Sequence, residues 1–109
     1  ADLFVSIHAN SISLSRPEVN GLETYYHSSG NRLAQVIHQS ILRLVTMPDR
    51  GVRQARFHVL VNTSMPSVLV ETGFVTGAQD ARNFNDPAWR SRMAQGIAAG
   101  ILQYAQRSL

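Results

Sequence analysis

Two short segments of the sequence carry side chains that could form a catalytic or ligand-binding site. Ser6–Asn10 places His8 at the end of an apolar run, and Val68–Gly73 places Glu71 directly after three apolar residues. A carboxylate in a partly buried position is costly unless a cation or a metal-bound water compensates it. Each residue alone is more often structural, so the prediction of a site depends on the pair.

Alternating short strands and amphipathic helices would position these two residues. The expected elements are a largely buried strand Leu3–His8, a polar loop Asn10–Gly21, a strand Leu22–His27, a helix Asn31–Val45 ended by Pro48–Gly51, an apolar run Arg56–Val61, a buried strand Ser67–Glu71, a turn Thr72–Gly77 and a closing helix from Asp86-Pro87. This order predicts an α/β fold with a mostly parallel sheet flanked by helices. If the strands ending in His8 and Glu71 are parallel, both side chains reach the ligand-binding edge of the sheet.

The composition limits the class of protein. With 109 residues, 44% hydrophobic residues and no cysteine, the sequence predicts one domain over residues 1–109 and excludes a disordered tail, a disulfide scaffold and a collagen-like fibre. No apolar stretch approaches the roughly 20 residues that span a bilayer, and we expect any targeting signal to lie upstream of Ala1. The net charge of +3 comes with scattered arginines, and their one cluster, Arg50–Arg56, lacks the aromatic residues of a nucleic-acid-binding surface.

Three motifs, in this order and spacing, carry a resemblance to a known family. They are Ser6-Ile7-His8-Ala9-Asn10, Gly21-Leu22-Glu23-Thr24-Tyr25-Tyr26 and Met65-Pro66-Ser67-Val68-Leu69-Val70-Glu71-Thr72-Gly73-Phe74. The chain resembles the zinc-dependent N-acetylmuramoyl-L-alanine amidases of bacterial cell-separation enzymes. The resemblance implies an α/β fold, one catalytic Zn²⁺ and hydrolysis of the amide between N-acetylmuramic acid and L-alanine in peptidoglycan. It also implies action in the periplasm or outside the cell, at the cell wall.

The resemblance also implies roles for the two residues. The His of the first motif is a zinc ligand in that family, here His8, and the Glu of the third motif is the catalytic acid/base, here Glu71. Family members complete the zinc site with a His and a Glu from motifs that precede the first strand of this chain. We therefore expect the chain to correspond to the C-terminal part of the catalytic domain, without the family's N-terminal strands and helices.

The implied reaction is hydrolysis by a zinc-activated water. Zinc lowers the pKa of its water to about 7, so Glu71 can accept the proton and later return it to the leaving amine. The metal itself would hold the oxyanion, and Arg53 and Asn10 are weaker candidates for that task.

The remaining titratable residues are predicted to be structural. His27 ends the second strand, His38 lies on the polar face of the helix, His58 is partly buried in an apolar run, and Glu23 supports a strand. Two other functions stay open on the sequence alone. One is a peptidoglycan-binding fragment or module without a complete zinc site, and the other is a zinc peptidase of related fold.

Overall fold

A computed structural model describes residues 2–108 and shows strands and helices alternating along the chain. In chain order the elements are β1 (Phe4–Asn10), β2 (Leu22–Tyr26), α1 (Asn31–Leu44), β3 (Asp49–Gln54), α2 (His58–Val61), β4 (Ser67–Phe74), α3 (Ala78–Phe84) and α4 (Pro87–Ser108). The predicted α/β class is confirmed. Within this part of the chain, no helix is both long enough and apolar enough to cross a membrane.

The four strands form one sheet in the order β1-β4-β2-β3. β1 pairs with β4 and β2 with β3 in parallel, whereas β2 runs antiparallel to β4. Two of the three pairings are therefore parallel, which confirms the predicted mostly parallel sheet. β4 is buried along its whole length because it has a strand on each side.

The hydrophobic core lies between the sheet and the pair of long helices. α1 packs its apolar stripe on one face of β2 and β4, and α4 packs its own stripe mainly against α1, at the helical spacing seen in the sequence. The main core side chains are Leu33, Ile37 and Ile41 of α1, Trp89, Met93 and Ile97 of α4, and Leu22, Val68 and Val70 of the strands. On the other face of the sheet, Leu69 and Leu60 of α2 are buried. A functional site on the sheet would lie on this second face, because the long helices cover the first one.

Two glycines on α4 allow it to lie directly against α1. A Cβ atom on Gly96 would be 2.8 Å from the Cα of Ile41, and one on Gly100 would be 2.7 Å from the Cα of Ile37. The hydroxyl of Ser40 donates a hydrogen bond to the carbonyl of Gly96 at 2.6 Å. The two helix backbones are therefore closer together than any larger side chain would permit.

We expect Gly100→Ala to destabilise the protein. Alanine favours a helix over glycine by about 1 kcal/mol, but its methyl group would press on the backbone of α1, and overpacking of this kind costs about 1–3 kcal/mol. Chemical denaturation measures the free energy of unfolding. Ser91→Ala, on the exposed side of the same helix, is the matched control and should cost almost nothing. A Gly100→Ala protein more stable than the wild type would contradict the close contact.

Two expectations about the strands are wrong. β1 is not largely buried: it is an edge strand, and Ile7 is 57% exposed. Its apolar composition resembles that of a central strand, but no strand pairs with its outer edge within residues 2–108. The segment expected only to end the helix, Pro48–Gly51, instead leads into β3. That strand is polar because it lies at the opposite edge of the sheet, so it lacks the apolar signal of a buried strand.

An apolar groove runs along α4 beside β1. It has a volume of about 380 Å³, and Ile7, Trp89, Met93 and Ile97 are among the residues that line it. The indole nitrogen of Trp89 is buried and has no hydrogen-bond partner in the described part of the chain. The groove between α4 and β1 therefore presents an apolar surface.

Candidate active site

The parallel pairing of β1 with β4 places His8 and Glu71 side by side. The two residues are direct partners in the ladder, so their side chains point to the same face of the sheet. This is the face opposite α1 and α4, because Val70, the neighbour of Glu71, belongs to the core on the helical side. The juxtaposition expected from parallel strands is confirmed, while the roles of the two residues stay predictions.

Glu71 is a buried carboxyl group with unused hydrogen-bonding capacity. Glu71 is only 8% exposed to solvent. Its Oε2 atom is buried and has no hydrogen-bond partner among residues 2–108. Burial raises the pKa of Glu71; the charge of His8 opposes this shift, and that of Glu23 adds to it. A carboxyl group whose pKa moves toward neutrality is better suited to accept and return a proton.

His8 is exposed on the open face of the sheet. One of its ring nitrogens, Nε2, lies 2.7 Å from the hydroxyl of Ser6, which precedes it by two residues on the same strand face. The other ring nitrogen, Nδ1, has no such bond within the described residues. The imidazole is therefore oriented by its own strand and accessible to a ligand.

Glu23 completes a row of titratable side chains across the sheet. It is the antiparallel partner of Glu71 in β2, so His8, Glu71 and Glu23 lie on three adjacent strands at a spacing of about 4.8 Å per strand. The sequence predicted only a structural role for Glu23. Its place in the row depends on the antiparallel pairing of β2, which the sequence did not indicate.

Hydrogen bonds satisfy both oxygens of Glu23. Oε1 accepts bonds from the amide of Asn10 at 3.2 Å and the hydroxyl of Tyr25 at 2.7 Å, and Oε2 accepts one from Nε of Arg50 at 2.8 Å. Burial alone would raise the pKa of Glu23, but the bonds from Arg50 and Tyr25 outweigh it and leave the pKa below its ordinary value. Burial and the bond to Glu23 raise the pKa of Tyr25 to about 12. Glu23 is therefore held as an anion and Tyr25 as a neutral donor.

We expect Glu23→Gln to remove a pH-dependent part of the stability. Because the pKa of Glu23 is lowered on folding from 4.5, its ionised form stabilises the fold above about pH 4.5, and this contribution is lost as the pH falls through the folded pKa. Loss of the buried anion leaves Arg50 unpaired, at a cost of about 1–3 kcal/mol, since Arg50 is 35% exposed to water. Urea denaturation at pH 7 and pH 3.5 should show a difference from the wild type that shrinks at the lower pH. A constant difference would contradict the ion pair.

A bulge in β4 follows Glu71 immediately. The register with β1 shifts after His8, and Gly73 adopts a φ of +149°, which favours glycine. The hydroxyl of Thr72 donates to the carbonyl of His8 at 2.9 Å, and a Cβ on Gly73 would lie 2.9 Å from the carboxylate of Asp80. The bond from Thr72 thus joins β1 and β4 at the bulge, next to His8 and Glu71.

Asp80 fixes the strand ends around this bulge. It is fully buried, and its Oδ2 atom accepts hydrogen bonds from the backbone amides of Gly21 and Phe74, both at 2.8 Å. Gly21 precedes the strand that carries Glu23, and Phe74 ends the strand that carries Glu71. Asp80 is therefore a positioning residue that sequence reasoning missed, because one of its partners, Gly21, is 59 residues away in the chain.

The other histidines lie away from the row. His27 follows β2, which is antiparallel to β4, so it lies at the end of β4 opposite Glu71. The prediction that His38 lies on the polar face of its helix is wrong: it is 1% exposed, and its ring nitrogens lie 2.8 Å from the Thr24 hydroxyl and 2.7 Å from an Asp49 oxygen. It joins β2 to β3, a strand that the sequence did not reveal. His58 is exposed rather than partly buried.

The residues present fit a zinc ion only in part. His8 offers one exposed imidazole as a ligand, and the expected proton acceptor, Glu71, lies on the neighbouring strand. No group of three or more His, Cys, Asp or Glu side chains that could hold a metal occurs between residues 2 and 108. A catalytic zinc site has three protein ligands, so this stretch could supply only some of them.

Comparison with known proteins identifies the family of the chain. Residues 1–103 match the family described as N-acetylmuramoyl-L-alanine amidase. The chain belongs to this family. It is 42% identical over 109 residues to the amidase LytC of Bacillus subtilis, an alignment covering 95% of this chain and 22% of that protein. The predicted family is confirmed.

Solved structures of amidases share the fold. The amidase AmiC2 of Nostoc punctiforme is 51% identical with a TM-score of 0.94, and the catalytic domain of CwlV from Bacillus (Paenibacillus) polymyxa is 42% identical with a TM-score of 0.87. In both cases the match covers 97% of this chain and 59% of the other chain. The chain therefore spans little more than half of the solved amidase structures and about a fifth of the length of LytC.

Proposed function

We propose that this chain acts as part of a peptidoglycan amidase, which hydrolyses the amide between the lactyl group of N-acetylmuramic acid and L-alanine. The observation that carries the proposal is the ladder pairing of His8 with Glu71, whose buried Oε2 atom has no hydrogen-bond partner among residues 2–108. Membership in the amidase family gives the pair its substrate class. Relatives named cell wall amidases support action at the cell wall, outside the cytoplasm.

His8 is the residue we assign to a zinc ion. Its exposed position and its orientation by Ser6 suit a metal ligand, and the remaining ligands would come from outside residues 2–108. A zinc ion bound there would polarise the amide carbonyl and lower the pKa of a water molecule.

Glu71 is the residue we assign to proton transfer. Its buried carboxylate accepts the proton of the attacking water and then donates it to the nitrogen of the leaving L-alanine, which departs as an amine. Burial raises the pKa of Glu71, which makes its carboxyl group a stronger proton acceptor than an ordinary exposed glutamate. The neighbouring anion Glu23 remains ionised through its bonds to Arg50 and Tyr25, so it does not compete for the proton.

We also infer that residues 1–109 are one structural unit within a larger catalytic domain. Three observations support this: the match to 59% of the AmiC2 structure, the incomplete ligand set within residues 2–108, and the apolar groove beside β1. In this arrangement further chain would cover the groove and bring the missing ligands to the face that carries His8.

The experiment is digestion of purified peptidoglycan by the full-length protein in the presence of zinc. Release of peptides with a new amino-terminal L-alanine, together with glycan chains that carry a free lactyl carboxylate, is the expected result. Cleavage within the peptides would indicate a zinc peptidase instead. Sedimentation with peptidoglycan without any cleavage would indicate a binding module, and either outcome would overturn the proposal.

A further inference from the structure

A polar cavity adjoins the row of His8, Glu71 and Glu23. It has a volume of about 420 Å³ and is lined in part by Glu23 and Tyr25 of β2 and by Asn10 at the end of β1. Glu23 is the ladder partner of Glu71. The cavity is therefore one strand away from the carboxyl group that we assign to proton transfer.

Arginines dominate the charge of this cavity. Arg16, Arg50 and Arg53 all line it. Arg50 is bound to Glu23, and its guanidinium lies 5.2 Å from the centre of the Phe74 ring. Arg16 pairs with Glu18 at 2.9 Å, but both side chains are more than half exposed, and ion pairs of this kind are weak in water. Arg16 could exchange this partner for another anion at little cost.

Arg53 is the arginine of this cavity that forms no ion pair within residues 2–108, although its charge helps to lower the pKa of the nearby Glu23. Its Nε atom donates to the backbone carbonyl of Arg50 at 3.1 Å, and none of the carboxylates in residues 2–108 forms an ion pair with it. The bond to the carbonyl orients the guanidinium, whose terminal nitrogens have no hydrogen-bond partner among residues 2–108. Those nitrogens present the planar donor edge that suits a carboxylate.

We propose that Arg53, assisted by Arg16, binds a free carboxylate on the peptide side of the substrate amide. The proposal rests on the proposed amidase function and assigns the cavity to the peptide rather than to the sugar. In an N-acetylmuramoyl peptide the lactyl carboxyl group is consumed in the scissile amide, so the sugar beside that bond carries no charge. The free carboxylates belong to the peptide, and the cationic cavity beside Glu71 orients the leaving group.

Binding of matched ligands tests this assignment. The ligands are N-acetylmuramoyl-L-alanyl-D-glutamate and the analogue in which its carboxyl groups are amidated. Calorimetry is carried out on full-length Glu71→Gln protein, so that the ligand is not consumed. We expect the acid to bind roughly 10- to 100-fold more tightly than the amide, and Arg53→Gln to reduce this ratio to about one.

Two further variants separate a specific contact from a general effect of charge. Arg53→Lys keeps the charge but loses the planar edge, so it should restore only part of the preference for the acid. Arg92→Gln removes an exposed arginine of α4 outside the cavity and should leave the preference unchanged. An Arg53→Gln protein that keeps the wild-type ratio, or a protein that binds acid and amide equally or binds neither, would overturn the subsite.

Hydrolysis of the same two ligands by the protein with Glu71 intact separates this proposal from the amidase function. Cleavage of both at the same rate, with no difference in binding, would support the amidase and overturn the subsite. A preference for the acid in binding that depends on Arg53, without any cleavage, would support the subsite and contradict the amidase. The two failures are therefore distinguishable.

Discussion

Glu71→Gln should reduce hydrolysis of peptidoglycan by about 100- to 10,000-fold, the usual contribution of a general acid–base residue. Glutamine has nearly the same shape as glutamate but cannot accept or return a proton. Because Oε2 of Glu71 has no hydrogen-bond partner within residues 2–108, the substitution disturbs no bond at that atom. Release of amino-terminal L-alanine from peptidoglycan measures the rate, and circular dichroism checks the fold.

The control for this variant is a carboxylate outside the proposed site. Asp2 is exposed ahead of β1, at the end remote from His8, and Asp2→Asn should leave the rate unchanged. Zinc content should be equal in the wild type and the Glu71→Gln protein, because the lost group is a proton acceptor. A Glu71→Gln protein with wild-type activity would remove Glu71 from the proposed role.

His8→Ala should lower both the zinc content and the activity of the full-length protein. Removal of a direct ligand is expected to weaken zinc binding roughly 100-fold or more. Since His8 is exposed and its bond to Ser6 lies at the surface, the metal-free protein should unfold at the same urea concentration as the wild type. Elemental analysis after dialysis against a weak chelator measures the zinc.

His58→Ala is the matched control for the ligand assignment. His58 is also an exposed imidazole, but it lies on α2 and not in the row that crosses the sheet. Its removal should change neither zinc content nor hydrolysis. If His8→Ala retained a full equivalent of zinc while His58→Ala lost it, the assignment of the ligand would be wrong.

The pairing of His8 with Glu71 could be predicted because local signals were strong at both positions. Each residue follows an apolar run near the carboxyl end of its strand, and parallel strands bring these ends to one edge. The two long helices could also be predicted from the sequence, because their apolar residues recur at helical spacing and Pro87 marks the start of α4.

The supporting network could not be predicted, because it depends on pairings between distant segments. Glu23 enters the site through the antiparallel alignment of β2 with β4, and Arg50 reaches it from β3, which is polar and has no clear strand signal. His38 was misassigned for the same reason, since its partner Asp49 begins that strand. Asp80 joins segments about sixty residues apart, as its bond to Gly21 shows.

The pairing of the strands determines which insertions and deletions the site can tolerate. His8, Glu71 and Glu23 are aligned by backbone pairing, so residues added to the exposed loop between Asn10 and Gly21 leave the alignment intact. A single residue inserted within β1 ahead of His8 would instead turn the imidazole to the opposite face, because side chains alternate along a strand. Over evolutionary time, insertions and deletions should therefore accumulate in that loop and be excluded from the strand.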